Sequence, residues 1–160
     1  MTLLTKNKSV IVVGGGAAGL MSAIHSAWSG AEVIIFEKNS RPARKVLITG
    51  KGRCNVTNNC SIETVMNNTP TNPKFLYSAL NRFSPEDTMS FFEMLGVELK
   101  TERGNRVFPV SDKAKDIADA LINCAESAGC SIYEKNIKSL IIENNTIKGV
   151  KDSNGVEYFA

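Results

Sequence analysis

Gly14, Gly16 and Gly19 form a G-x-G-x-x-G pattern, and Glu37 stands 18 residues beyond the last of them. Glycines at this spacing bring a backbone close to a pyrophosphate. Gly14 permits a tight turn, Gly16 keeps the contact point clear of a side chain, and Gly19 lets a helix lie close to a strand. With Gly15 inside the turn and Ala17 and Ala18 opening the helix, unpaired N–H groups point at the phosphates. A carboxylate at Glu37 can accept hydrogen bonds from ribose hydroxyls and would repel a 2′-phosphate. This chemistry fits the ADP half of a dinucleotide. It does not separate FAD from NAD, because both carry that half.

A second stretch, "VLITGKGRCNVTNN" (Val46 to Asn59), has a different character. It opens as a strand would, then sets Gly50 and Gly52 beside Lys51 and Arg53, followed by Cys54 and three amide side chains, Asn55, Asn58 and Asn59. Arg44, Lys45, Lys51 and Arg53 can offset phosphate charge. Gly50 and Gly52 let the backbone approach a ligand, and Asn55 can hydrogen-bond a ring or a ribityl chain. About 35 residues, Lys38 to Asn72, separate the second strand from the next helix, and loops of that length are usually functional. The alternative is a solvated basic loop. Cys54 lies beside Arg53, which could stabilise its thiolate. Cys60 is six residues on and lacks dithiol spacing, so a packing role outweighs a redox one. His25 falls next to the buried face of the first helix and reads as a helix-packing residue. Arg106 and Phe108-Pro109 are candidates for the substrate side.

The elements that must position these residues follow from periodicity. Val10 to Val13 is a β-branched run, expected as a strand buried on both faces. From Ala17 the period becomes helical, with Leu20, Ile24, Ala27 and Trp28 on one face and Gly30 as the stop. Glu32 to Glu37 is the next strand, parallel to the first. Pro73 to Phe83 is expected as a helix with Phe75, Leu76, Leu80 and Phe83 inward. Ser84-Pro85-Glu86-Asp87 is a capped helix start, and that helix ends near Gly96. Arg106 to Val110 is a short extended piece. Asp112 to Ala128 is a helix on Ile117, Ala120, Leu121, Cys124 and Ala128. Ser131–Glu134, Ile137–Glu143, Thr146–Lys151 and Val156–Ala160 read as strands, with Asn-Gly turn chemistry at Asn154-Gly155. The expected class is α/β: a Rossmann-like three-layer FAD/NAD(P)-binding domain with a parallel sheet and an antiparallel β-meander.

Composition excludes several classes. The 160 residues suffice for one domain with its own core. A net charge of +3, with Lys and Arg scattered, argues against nucleic acid as the main partner. Four cysteines without C-x-x-C spacing, and a single histidine, support no metal site and suit free thiols in a reducing compartment. The opening, Met1 to Ile24, is basic and then apolar, but three consecutive glycines break the helix that a signal peptide needs. No run of 18 apolar residues suggests a membrane span.

"GGGAAGLMSA", "RKVLITGKGRCNVTN" and "RVFPVSDKA" together resemble the successive signatures of the YhiN/BaiN-like family of NAD(P)/FAD-dependent oxidoreductases, also labelled the aminoacetone oxidase family. Ala23, Gly30 and Val33, between Gly19 and Glu37, extend the glycine pattern as flavoprotein patterns do. The resemblance runs from about Val10 to the chain end. It implies FAD, with its adenosine near Glu37 and Lys38, its pyrophosphate over Gly14 to Ala18, its flavin along Thr49 to Asn55, and backbone near Ile137 bordering the adenine. It also implies a cytoplasmic enzyme with a small-molecule substrate, hydride transfer through flavin N5, and NAD(P)H as a candidate reductant. Members of the family are more than twice as long, so residues 1–160 are expected to be an N-terminal FAD-binding portion, truncated, with the substrate domain elsewhere. Catalytic residues, substrate and oligomeric state are not assigned. Two other readings stay open: an NAD-dependent dehydrogenase and a non-catalytic dinucleotide-sensing module.

Overall fold

The computed structural model describes residues 8–160; the N-terminal part of the basic-then-apolar opening lies outside the described residues. The elements are β1 (Ser9–Val13), α1 (Ala17–Trp28), β2 (Glu32–Glu37), α2 (Arg44–Ile48), β3 (Thr57–Asn58), α3 (Ile62–Asn67), α4 (Tyr77–Arg82), α5 (Pro85–Met94), β4 (Leu99–Glu102), β5 (Arg106–Pro109), α6 (Ala114–Ser127), β6 (Ser131–Glu134), β7 (Ile137–Glu143), β8 (Thr146–Asp152) and β9 (Glu157–Phe159). Short 3₁₀ turns cover Thr49–Gly52 and Pro73–Leu76. They form two compact units, Met1–Arg44 with Leu121–Ala160, and Lys45–Ala120, with the boundary inside α6.

In the first unit β1, β2 and β6 form a parallel sheet with β2 in the middle. Val33, Ile35 and Phe36 of β2 are buried, and α1 sets Leu20, Ala23 and Ile24 among the most buried residues of the molecule. Full burial of a Leu or Ile side chain stabilises by roughly 1.5–3 kcal/mol. The β-α-β order and the parallel pairing agree with the sequence. Two details do not. β1 is only half-buried, with Val13 55% exposed, because among the described residues it pairs with β2 alone and borders the sheet. Trp28 lies at the end of α1 and is 51% exposed. His25 is also exposed and meets Trp28 edge-on, ring centroids 5.2 Å apart.

β7, β8 and β9 form the antiparallel meander. Its last hairpin is organised by Asp152, a buried carboxylate that accepts from the backbone N–H of Asn154 (2.8 Å) and of Val156 (3.0 Å) and from the Tyr158 hydroxyl (3.2 Å). The Tyr158 ring rests on Phe36, centroids 4.6 Å apart.

The second unit is built on the antiparallel sheet β3-β5-β4, with Val107 and Phe108 of β5 buried. Phe91 and Phe92 of α5 are buried and stack edge-on at 5.3 Å. Ser84 caps α5 as expected. Its hydroxyl accepts from the Asp87 N–H (3.1 Å), and the Asp87 carboxylate accepts from the Ser84 N–H (2.8 Å).

Four expectations are corrected here. Val46 to Ile48 is helical, not extended, and only Val46 is buried. Residues 38–72 are not one loop; α2, a 3₁₀ turn, β3 and α3 divide them. The helix expected over Pro73–Phe83 breaks into a 3₁₀ turn and α4, and Phe75 points outward, 80% exposed. α6 starts at Ala114 rather than Asp112, because Asp112 sits at φ +58°, outside helical space.

Candidate functional site

The glycine turn joins β1 to α1. Gly14 has φ +101° and donates its N–H to the Phe36 carbonyl (2.8 Å), which ties the turn to β2. A Cβ on Gly19 would lie 1.9 Å from the Gly14 carbonyl oxygen, so no side chain fits there. Gly15 is held by contacts: a Cβ would stand 3.0 Å from Pro42 and 3.3 Å from the Glu37 side chain. Gly16 differs. Its φ of −76° suits any residue, and a Cβ would meet nothing within 4 Å. The chain's own packing gives no reason for glycine at this position. A ligand that approaches the backbone does.

Gly16 is also the N-cap of α1, with no side-chain capping bond and no acid in the first turn. The positive end of the helix dipole is left without a compensating group from its own sequence. Beside it Glu37 is 8% exposed. Its Oε2 accepts from the Gly15 N–H (2.8 Å), and its Oε1 accepts from the Asn39 backbone N–H (2.9 Å) and the Asn39 side-chain amide. A carboxylate has about four lone-pair sites. Gly15 and Asn39 engage three of them, and the Lys38 backbone N–H adds a further hydrogen bond to the same carboxylate. Burial pushes the Glu37 carboxyl up, but the hydrogen bonds from Asn39, Gly15 and Lys38 outweigh it and hold it below the usual range. Glu37 is therefore an anion that fixes the glycine turn as well as an acceptor.

The other predicted residues of this unit stand as follows. Ala17 and Ala18 open α1, exposed, and Lys38 is exposed. Arg44 is exposed and donates to the Asn39 side-chain oxygen (2.7 Å). Ile137, half-buried, starts β7 opposite Asp152. Asn39 was not anticipated, although "EKN" at the end of a strand carries a signal: Asn two residues after a carboxylate can turn back and donate to it.

In the second unit Lys45 is exposed, and residues Thr49 to Asn55 form a compact knot. Gly50, Lys51, Gly52 and Cys54 all have positive φ, and two of them are not glycine. A non-glycine residue there costs roughly 1–2 kcal/mol. The knot is closed by the Arg53 N–H to Gly50 O (3.3 Å), Cys54 N–H to Thr49 O (3.0 Å) and Val56 N–H to Val107 O (2.9 Å). The Asn55 side-chain nitrogen donates to the carbonyls of Thr57 (3.0 Å) and Val107 (3.3 Å). Gly50 is needed for close approach: a Cβ would lie 2.7 Å from Asn55 N and 3.2 Å from the Phe108 ring.

Two sequence expectations change here. Burial pushes the Cys54 thiol up, despite a hydrogen bond with Thr49 that opposes it, so no thiolate is stabilised. Arg53 turns instead to Glu102 and Asp112, two carboxylates that nothing near it in the sequence announces. All four cysteines are free. Among the described residues no cluster of His, Cys, Asp or Glu is arranged to hold a metal ion, and no helix is long and apolar enough to cross a membrane.

A parallel β-α-β unit, a glycine turn at an uncapped helix and a buried acid closing the second strand define a dinucleotide-binding Rossmann domain. The family described as "HI0933-like protein Rossmann domain" matches residues 8–159, and the chain belongs to it, in agreement with the resemblance of its motifs. Its relatives include the 3-dehydro-bile acid delta(4,6)-reductase of Clostridium scindens, 36% identical over 69% of this chain and 27% of that protein. The ribosomal RNA dihydrouridine synthase of Escherichia coli is 32% identical over 72% of this chain and 28% of that protein. The chain spans less than a third of the length of these relatives. Solved structures share the fold at low identity. Thermovibrio ammonificans THI4 superposes with TM-score 0.58 at 16% identity, covering 92% of this chain and 47% of that one. Aquifex aeolicus GidA superposes with TM-score 0.56 at 20% identity, covering 99% and 24%.

Proposed function

We propose that this chain is the FAD-binding portion of an FAD-dependent oxidoreductase. The observation that carries the reading is Gly16: a glycine that the chain's packing does not require, at an uncapped helix start, beside a buried anion. The α1 N–H groups of Gly16, Ala17, Ala18 and Gly19 bind the pyrophosphate. The Glu37 carboxylate accepts from an adenosine ribose hydroxyl. Lys38 and Arg44 lower the cost of bringing phosphate charge to the turn, and backbone at Ile137 borders the adenine. The residues Thr49, Gly50, Gly52, Cys54 and Asn55 serve the flavin half, an assignment that rests on the family motif. Bound flavin supplies hydride transfer through N5, and the protein binds, orients and tunes it.

The reading includes NAD(P)H as electron donor, a small-molecule substrate and a cytoplasmic setting, which the free cysteines suit. The names of the two relatives pair a bile acid delta(4,6)-reductase with a dihydrouridine synthase, and hydrogenation of a conjugated C=C bond is the chemistry the two names have in common. We extend that reaction class to the full-length protein.

The test is titration of full-length protein with FAD, FMN and NAD. FAD should bind with a flavin spectrum, and NAD should not compete at the same site. Glu37→Ala loses a hydrogen bond to a charged group, worth roughly 1.5–3 kcal/mol, so FAD affinity should fall about 10- to 100-fold while FMN, lacking adenosine, changes little. NAD binding in place of FAD would move the reading to a dehydrogenase. Tight binding of ribosomal RNA would sink the small-molecule substrate.

A further inference from the structure

Arg53 is one of four cations that the sequence offers to a phosphate, yet its guanidinium is already engaged. Its Nε donates to Asp112 Oδ1 (2.8 Å), and its Nη2 reaches the same oxygen (2.6 Å) and Glu102 Oε1. Its planar face lies over the buried Phe108 ring, Cζ 4.2 Å from the centroid. Lys100 completes the group, 2.8 Å from Asp112 Oδ2 and 3.6 Å from Glu102 Oε1. Two cations and two anions cancel, and an incoming phosphate would face two carboxylates. Meanwhile Arg53 sits inside the run of positive φ angles at Gly50, Lys51, Gly52 and Cys54, and Asp112 is itself at φ +58°. Gly50 packs against the same Phe108 ring that Arg53 covers.

We propose that Arg53 is a positioning residue. With Glu102, Asp112, Lys100 and Phe108 it clamps the strained Thr49–Asn55 knot to the β4–β5 hairpin, and it does not grip the cofactor's phosphate. The functional side of this proposal rests on the flavin reading above. A fork of two N–H directions plus a flat face over an aromatic ring is a job for guanidinium, and lysine cannot replace it.

The test uses full-length protein with Arg53→Ala, Arg53→Lys and the double variant Glu102→Gln/Asp112→Asn, which keeps Arg53 but removes its anchors. Hydrogen exchange is followed at the Cys54 and Val56 amides, and FAD, FMN and phosphate-free riboflavin are titrated. The clamp predicts at least about 10-fold faster exchange in all three variants. It also predicts a loss of affinity, about 10-fold, that is equal for the three flavins. A loss confined to FAD and FMN, rescued by lysine, would make Arg53 a phosphate contact and overturn the proposal. So would a double variant with unchanged exchange. If Arg53→Ala does not fold, the double variant and Arg53→Lys still decide. If the unaltered protein binds no flavin, the functional reading fails while the exchange measurement continues to judge the clamp.

Discussion

Two helices of this protein begin in opposite ways. α5 completes its own N-terminus. Ser84 and Asp87 satisfy each other's backbone N–H groups, Pro85 occupies the first turn where no donor is needed, and Glu86 and Asp87 face the positive dipole. α1 does none of this. Its cap is Gly16, no side chain accepts from its first turn, and no acid stands there. The Glu37 carboxylate takes the Gly15 N–H, one residue short of the cap. Both ends face the same problem of unpaired donors. One solves it with side chains and is purely structural. The other leaves it for an anion, and that separates a cap from a binding site.

Substitutions that swap these properties test the comparison, in decreasing order of effect. Gly19→Ala puts a methyl 1.9 Å from the Gly14 carbonyl and must push α1 off the turn. Overpacking costs about 1–3 kcal/mol and more when backbone must move, so we expect about 3 kcal/mol or above in denaturant unfolding. A loss under about 1 kcal/mol would mean that α1 does not need this close approach. Gly16→Ser makes α1 resemble α5. The added Cβ meets nothing, so stability should hold or rise by a few tenths of a kcal/mol. FAD affinity should nevertheless fall about 10- to 100-fold, near 1.4–2.7 kcal/mol. Unchanged affinity would remove the reason for glycine at this turn.

Ser84→Ala makes α5 resemble α1 and should cost about 1 kcal/mol, with flavin affinity unaltered. Asp87 gives this cap a pH dependence. Hydrogen bonds from the Ser84 backbone and side chain hold its carboxyl below the usual range. A lowered folded value means that its contribution is complete above the ordinary value of about 4 and is lost as pH falls through the lowered one. Wild type should therefore exceed Asp87→Asn in stability at neutral pH, and the difference should close in acid. A gap that persists in acid would show that the carboxylate's charge is not the source.

The sequence by itself determined the elements whose rules are short-range. β1, α1 and β2 follow from a β-branched run, a glycine turn and a change of period, and the capping box of α5 is written in four consecutive residues. Gly14 and Gly19 were legible because a tight turn and a helix–strand crossing require glycine whatever surrounds them. The tertiary structure decided what depends on partners far along the chain. Arg53 reads locally as a loop cation, but its carboxylates lie 49 and 59 residues away, and only folding brings them to it. Val46 to Ile48 has strand-forming side chains yet is helical, since propensity is weak and the structure around it decides. Phe75 falls on an apolar stripe but ends in solvent, because a stripe is buried only where something covers it. Glu37 shows both limits at once. Its place after β2 was readable from spacing, but that Gly15 and Asn39 fill three of its four acceptor sites depends on how the turn closes over it.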